Sequence, residues 1–224
     1  MEKALLLQRS DILKAKRDSL SKYDAVYIGS DFCPHLMPSV KEVQHLRKVF
    51  DKKIVLATPV LTTQGVAGIL RFIRRRSIVS LIDEMVVNDW GLLHKINSIK
   101  INVSVGLLMM YQLQRLSKEQ LSDFFAQYRV KAIELDEIKY IENIPANTKI
   151  SLHYPLRFLC FARFCPHVKK IPSSCRQACY GKTIALKASH GMGKVYLIAN
   201  AYFIKNKERL DRARLSRLVT SPVV

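Results

Sequence analysis

Residues 53–75 read KIVLATPVLTTQGVAGILRFIRR. The first part, KIVLATP (53–59), is apolar on both alternating faces, as a strand covered from two sides must be. From 62 to 75 the period changes: Val66, Ile69, Leu70 and Ile73 fall three or four apart, which places them on one face of a helix. A doubly buried strand followed at once by an amphipathic helix is the building unit of a parallel sheet with helices outside.

The same alternation runs outward in both directions. AVYIG (25–29) precedes a helical reading at 39–50, with Val40, Val43, Leu46 and Phe50 on one side. MVVND (85–89) precedes the short apolar run Trp90 to Ile96, and INVSV (101–105) precedes a longer helix at 107–126. AIELD (132–136) is followed by only a turn or two near Ile138, and KISLHYP (149–155) leads into a cysteine-rich segment. Beyond the cysteines, TIALKAS (183–189), HGMGK (190–194) and VYLIANAYFI (195–204) read as a β-hairpin with Gly191 and Gly193 at its turn. Then come a basic helix at 207–215 and a last strand, RLVTSP (217–222). Six strands precede the cysteines, and part of the hairpin and the final strand bring the count to eight. The expected fold is therefore α/β: a compact or incomplete (β/α)8 TIM-like barrel with a β-hairpin insertion after the cysteine segment. No repeat of fixed period and no low-complexity linker divides residues 1–224, which are expected to form a single domain.

The opening MEKALLLQRS holds only a short apolar run around Ala4 to Leu7, too little for a signal-peptide core or a membrane span. The expected compartment is the cytoplasm, where thiols stay reduced and clustered cysteines more often mean metal than disulfide. A formal charge of +19 suits a polyanion such as nucleic acid. The cations gather at Arg74 to Arg76, at Lys169–Lys170 and from Lys205 to Arg217, but no aromatic-plus-basic RNA motif accompanies them. A solvated basic surface, or one complementary to an acidic partner protein, is the equal alternative.

The five cysteines are Cys33, Cys160, Cys165, Cys175 and Cys179. Cys33 follows the first of these strands, and Cys165 to Cys179 follow the sixth. In a parallel barrel both places lie on the rim that carries the C-terminal strand ends. Four thiolates on one rim are what a cubane iron–sulfur cluster needs, and Arg163, Lys169, Lys170 and Arg176 would help offset the anionic ligand set. Zinc is the rival: Cys175–Cys179 has knuckle spacing, and His35 and His167 follow Cys33 and Cys165 in the same CPH tripeptide. Small buried hydrophobes are the third reading, one that suits Cys160 within RFLCFARF.

Together, YIGSDFC (27–33), KIVLATPVL (53–61), MVVNDWGLL (85–93) and LCFARFC (159–165), followed by Cys175 and Cys179, resemble the collagenase-like (U32-type) peptidase family in its ubiquinone-biosynthesis branch. The resemblance implies a [4Fe–4S] protein of oxygen-independent ubiquinone biosynthesis, with Cys33, Cys165, Cys175 and Cys179 as the four ligands. It also implies a heterodimer with a UbiU-like sister protein that hydroxylates the quinone-ring precursor, with a lipid-binding protein of the pathway nearby. Nine residues separate Cys165 from Cys175, fewer than the family pattern, and the charge keeps the family's RNA-hydroxylating branches as an alternative.

Asp89, Glu134, Asp136, Glu137 and His153 fall at strand ends, where they either position a substrate and move protons or merely cap helices and bond neighbours. No Ser–His–Asp order, HExxH, P-loop or GxGxxG is present, so protease chemistry is not expected. HGMGK sits in a hairpin and reads as a turn; Met109–Met110 read as core. The short spacers at Trp90–Ile96 and Ile138–Ile144, and a chain stopping at Val224, predict uncovered apolar faces that a partner would hide.

Overall fold

A computed structural model describes residues 1–162, 164–168, 175–187, 193–206, 210 and 213–221. Twelve strands are described: β1 Glu2–Leu6, β2 Ala25–Gly29, β3 Lys53–Thr58, β4 Glu84–Val87, β5 Asn102–Val105, β6 Val130–Leu135, β7 Lys149–His153, β8 Leu156–Phe161, β9 Thr183–Lys187, β10 Lys194–Ile198, β11 Ala201–Lys205 and β12 Arg217–Thr220. Seven α-helices accompany them: α1 Arg17–Leu20, α2 Val40–Val49, α3 Thr63–Ile73, α4 Arg76–Val79, α5 Trp90–Ile96, α6 Leu107–Leu113 and α7 Lys118–Gln127. Strands β1-β12-β7-β6-β5-β4-β3-β2 form a closed, all-parallel barrel, and β8-β11-β10-β9 form a separate antiparallel sheet. The TIM-like barrel is thus present, and it is closed.

Several expectations need correction. The eighth barrel strand is β1, inside the opening segment, and not an arm of the hairpin. Its five residues pair in parallel with both β2 and β12, and a run that short reads in sequence as a mere lead-in. VYLIANAYFI is two strands, because the chain turns at Ala199 (φ 55) and Asn200. With β9, and with β8 after the Tyr154–Pro155 junction, they make a four-stranded sheet rather than a hairpin. The helix expected at 107–126 breaks in two, because Ser117 caps a fresh start: its Oγ accepts from Gln120 N at 3.3 Å and Gln120 Oε1 accepts from Ser117 N at 2.9 Å. Within the basic helix expected at 207–215, residues 207–209, 211 and 212 lie outside the described residues, and the described ones are not helical. Residues 190–192 of HGMGK also lie outside the described residues, while Gly193 has φ 76, as a turn glycine does.

Every barrel strand alternates between two kinds of core. Outward residues such as Val26, Ile28, Ile54, Leu56, Met85, Val87, Ile133, Ile150 and Leu152 pack under the helices in one large apolar cluster. The short spacers cover their strands: Leu92, Leu93 and Ile96 of α5 are buried, as are Ile141 and Ile144. Arg214 locks the second spacer by donating to the carbonyls of Ile141 (2.7 Å) and Ile144 (3.2 Å). Trp90, at the start of the first spacer, is nevertheless exposed, as are Leu13 and Val60. Further exposed apolar side chains lie around the second sheet, at Leu159, Phe161, Phe164, Ile184 and Leu186.

Inward residues are small or polar. Ala4, Ala25, Tyr27, Val55, Ala57, Val86 and Val219 form a second cluster, and a chain of buried polar groups runs among them. Arg217 donates from Nη2 to Glu84 Oε2 (2.9 Å), from Nε to Glu2 Oε2 (2.8 Å) and from Nη1 to the Tyr27 hydroxyl (2.6 Å). Tyr27 donates onward to Glu134 Oε1 (2.9 Å), and Glu134 Oε2 meets His153 Nε2 at 2.8 Å. The column therefore climbs from the N-terminal ends of the strands to the C-terminal mouth. A buried charge this well partnered is tolerable, whereas one left alone is not.

Candidate functional site: a thiol-rimmed cavity at the barrel mouth

The second sheet roofs the C-terminal mouth of the barrel, and a cavity of about 110 Å³ lies beneath it. Its walls are mostly apolar, from Leu6, Leu107, Phe32, Phe158, Phe203 and Val219 among others. Phe32 stacks on Phe158 with ring centroids 4.8 Å apart, and Phe203 meets both rings edge-on. Roof and barrel are thus joined by an aromatic seam. Asp136 reinforces it, accepting from Phe158 N at 2.7 Å and from the Tyr111 hydroxyl at 3.0 Å, while its own carbonyl accepts from Asn206 Nδ2 at 3.0 Å.

Asp31 and His153 are among the titratable side chains that line the cavity, together with Arg9, Tyr154, Tyr180 and Lys182. Asp31 is buried, and burial holds its carboxyl above the usual range, against the hydrogen bond from Asn88 Nδ2 (2.7 Å). Burial opposes a charge on His153 too, but the Glu134 carboxylate beside it wins and raises the imidazole above its ordinary value. Glu134, fully buried, is itself raised by desolvation. Asn88 was not among the expected site residues. It holds Asp31, donates to Thr58 O at 2.9 Å and accepts from Leu108 N at 2.8 Å. Gly106 leaves room for it, since a Cβ there would lie 2.4 Å from the Asn88 amide. The residue pair ND ahead of a helix was the available signal, and the wrong member drew attention. Asp89 is a cap: Oδ1 accepts from Leu92 N at 2.9 Å and Oδ2 from Leu61 N at 3.0 Å. Glu137 is also structural, paired with Arg157 (3.1 Å) and Lys139 (2.7 Å).

Of the four cysteines expected as ligands, Cys179 lines this cavity, while Cys33, Cys165 and Cys175 are not among its lining residues. Gly29, with φ 95, ends β2 where a Cβ would lie 2.2 Å from Ala57 O, so only glycine fits. The Ser30 hydroxyl then accepts from both Phe32 N and Cys33 N at 3.1 Å and fixes the turn that presents Cys33. Burial first, and then the thiols of Cys179, Cys175 and Cys165, push Cys33 up to about 11. Cys179 is raised as well, by burial and by Cys175 and Cys165. Residues 132 positions apart in sequence, Cys33 and Cys165, are therefore electrostatic neighbours. All five cysteines are free thiols. The Cys175 sulfur accepts a backbone hydrogen bond from Gln177 N at 3.2 Å. Cys160 stands exposed in β8, opposite Tyr202, and is not the buried hydrophobe expected. His167 Nε2 is already engaged by Ala199 O at 2.9 Å. Among the described residues no three His, Cys, Asp or Glu side chains stand at metal-ligating separation. The thiols converge without closing a site. Arg163, Lys169 and Lys170, expected to offset the cluster charge, lie outside the described residues.

As a donor set, four unpaired thiols with one amide–sulfur bond fit an iron–sulfur cluster, which takes one cysteine per iron. They fit tetrahedral zinc by count as well, but the His167 bond to Ala199 counts against the mixed Cys/His version.

The sequence matches no protein-family profile and no curated protein. Among solved structures, the chain is similar to the U32 peptidase Mk0906, with a TM-score of 0.53 and 10% identity, over 99% of this chain and 92% of that one. A glycoside hydrolase family 18 N-acetylglucosaminidase from Paenibacillus barengoltzii aligns at 8% identity and a TM-score of 0.45, over 98% and 94%. At such identities the first likeness establishes the TIM-like α/β fold and nothing finer. Among the described residues no helix is long and apolar enough to cross a membrane.

Proposed function

We propose that this chain is a U32-type barrel protein whose Cys33, Cys165, Cys175 and Cys179 hold a [4Fe–4S] cluster. It would serve oxygen-independent hydroxylation of the ubiquinone-ring precursor in the cytoplasm, as the UbiV-like half of a heterodimer with a UbiU-like protein. The observation that carries the reading is that Asn200 bonds both Phe32 O, beside Cys33, and Ala162 O, three residues before Cys165, while Cys179 lines the cavity. When bound, such a cluster supplies one-electron chemistry. The oxygen atom would come from a non-O2 donor that also takes up the two electrons, and the chain's own residues bind and orient the reactants. The apolar walls select a ring-like, largely apolar substrate and exclude water, while His153 and Asp31 offer one proton donor and one acceptor at the cavity wall. The seam of phenylalanines argues for a small substrate.

Anaerobic purification followed by iron, sulfide and zinc analysis tests the cluster directly. The expected result is about four irons and four labile sulfides per chain; stoichiometric zinc without sulfide overturns it. Coexpression with a UbiU-like protein and size-exclusion chromatography tests the partner, with a 1:1 complex expected. The charge of +19 favours one second reading, an RNA hydroxylase of the same family. A steep loss of tRNA or ribosomal RNA binding with rising salt, without complex formation, would move the assignment there.

A further inference from the structure

Beside the ring contacts of Phe158 and Phe203 with Phe32, the second sheet meets the cysteine loops through one turn, Ala199–Asn200, between β10 and β11. Asn200 Nδ2 donates to Phe32 O at 2.9 Å and reaches Ala162 O at 3.5 Å. Asn200 O accepts from Ala162 N at 2.7 Å, and Ala199 O meets His167 Nε2 at 2.9 Å. Phe32 directly precedes Cys33; Ala162 and His167 bracket Cys165. One turn thus grips the chain beside Cys33 and on both sides of Cys165, although Phe32 and Asn200 are 168 residues apart. The other end of the amide is revealing. Asn200 Oδ1 is buried with no hydrogen-bond partner among the described residues. Asparagine suits this two-residue hairpin turn in any case, but a buried acceptor left unpaired is unfavourable, and its two N–H donors are what offset that cost here. A serine, aspartate or alanine cannot reach both carbonyls with donors.

We infer that Asn200 is a positioning residue: it staples the Cys33 loop to the Cys165 loop and thereby sets the spacing of the thiols in the metal-free protein. The use of that spacing for a cluster rests on the function proposed above; the stapling itself does not. An apoprotein that already holds its distant ligand near the others needs less ordering when metal arrives, and releases metal more slowly.

The test uses the full chain in a Cys160→Ala background. Metal-free protein is treated with dibromobimane, and cross-links from Cys33 to Cys165, Cys175 or Cys179 are measured by mass spectrometry. Parallel samples, reconstituted anaerobically, are followed for iron release to a chelator. Asn200→Asp sets a carboxylate against two carbonyls, and Asn200→Ala simply removes the donors. Both are expected to lower Cys33 cross-linking and speed iron release by about tenfold, the scale of one lost hydrogen-bonding group. Amide exchange of β3 to β5 should stay at the wild-type rate. Unchanged cross-linking and unchanged iron release in both variants overturn the inference. So does loss of β3–β5 protection in both, because Asn200 would then support the fold as a whole. If the parent protein takes up no iron and sulfide yet the cross-linking still falls, the cluster reading fails and the staple stands.

Discussion

Barrel and roof obey different rules although they belong to one chain. Each barrel strand has a hydrogen-bonded neighbour on both sides, and β2 runs buried from Ala25 to Ile28. In the roof, β8 and β9 are edges, and four of the five residues of β9 are exposed. The barrel holds itself by closure and two cores. The roof is held by a few specific links: the Phe32–Phe158 stack, the Asp136 contacts and the Asn200 turn. Three of the four candidate ligands arise between roof strands β8 and β9. The difference teaches that the barrel supplies the rigid frame, with Cys33, Asp31 and His153 at its strand ends, while the roof carries the other three candidate ligands. The two layers can therefore be perturbed separately.

The largest blow to the barrel should come from Arg217→Met. It leaves the buried Glu84 carboxylate without its cation, held only by the Ser104 hydroxyl, and unties Tyr27 from Glu2. Removing one partner of a buried pair costs about 3–5 kcal/mol, which a urea midpoint would register. A loss under about 1 kcal/mol would mean that the interior polar column relaxes freely. Gly29→Ala sits on the border between the layers. A Cβ against Ala57 O in a left-handed backbone costs about 1–3 kcal/mol. Because Cys33 hangs from that turn, iron content should fall beyond what the lost stability explains.

Metal removal should touch only the roof. Chelation is expected to speed amide exchange in β10 and β11 while β3 to β5 keep their rates, a contrast hydrogen-exchange mass spectrometry resolves. Smaller still in stability is each ligand substitution. Alanine at Cys33, Cys165, Cys175 or Cys179 should strip the iron yet leave the barrel's urea midpoint almost unmoved, and Cys160→Ala should change neither. Retained iron in Cys33→Ala with loss in Cys160→Ala would reverse the ligand assignment.

The smallest effect is a pH slope. The folded-state pKa of His153 lies above its ordinary value of 6.5, chiefly through Glu134. The protonated ring therefore favours the fold fully below about pH 6.5, and that contribution fades as pH climbs through the raised value. Wild-type protein should lose more stability above pH 6.5 than His153→Gln, as urea midpoints across that range would show. Parallel slopes would place the proton elsewhere in the column.

Much of the barrel was legible because its signal is local. KIVLATP and AVYIG bury both faces, and Val66, Ile69 and Ile73 keep helical spacing; neither needs a distant partner to be recognised. β1 was not legible, since five residues beginning Glu-Lys carry no period, and only pairing with β2 and β12 makes them a strand. The split of 107–126 was written in Ser117 and Gln120, but the apolar run around it masked the cap. At the site, the sequence named the cysteines, His153, Glu134 and Asp136, because reactive side chains are few and carry their chemistry with them, but it passed over Asp31, which lines the cavity. It could not say that Glu134 joins Tyr27 and His153 while Asp89 only caps a helix, or that Asn88 and Asn200 matter. Those roles depend on which side chains meet across the barrel mouth. Meetings over 57 and 168 residues of chain, as for Asn88 with Asp31 and Asn200 with Phe32, exist only after barrel closure brings the strand ends to one rim.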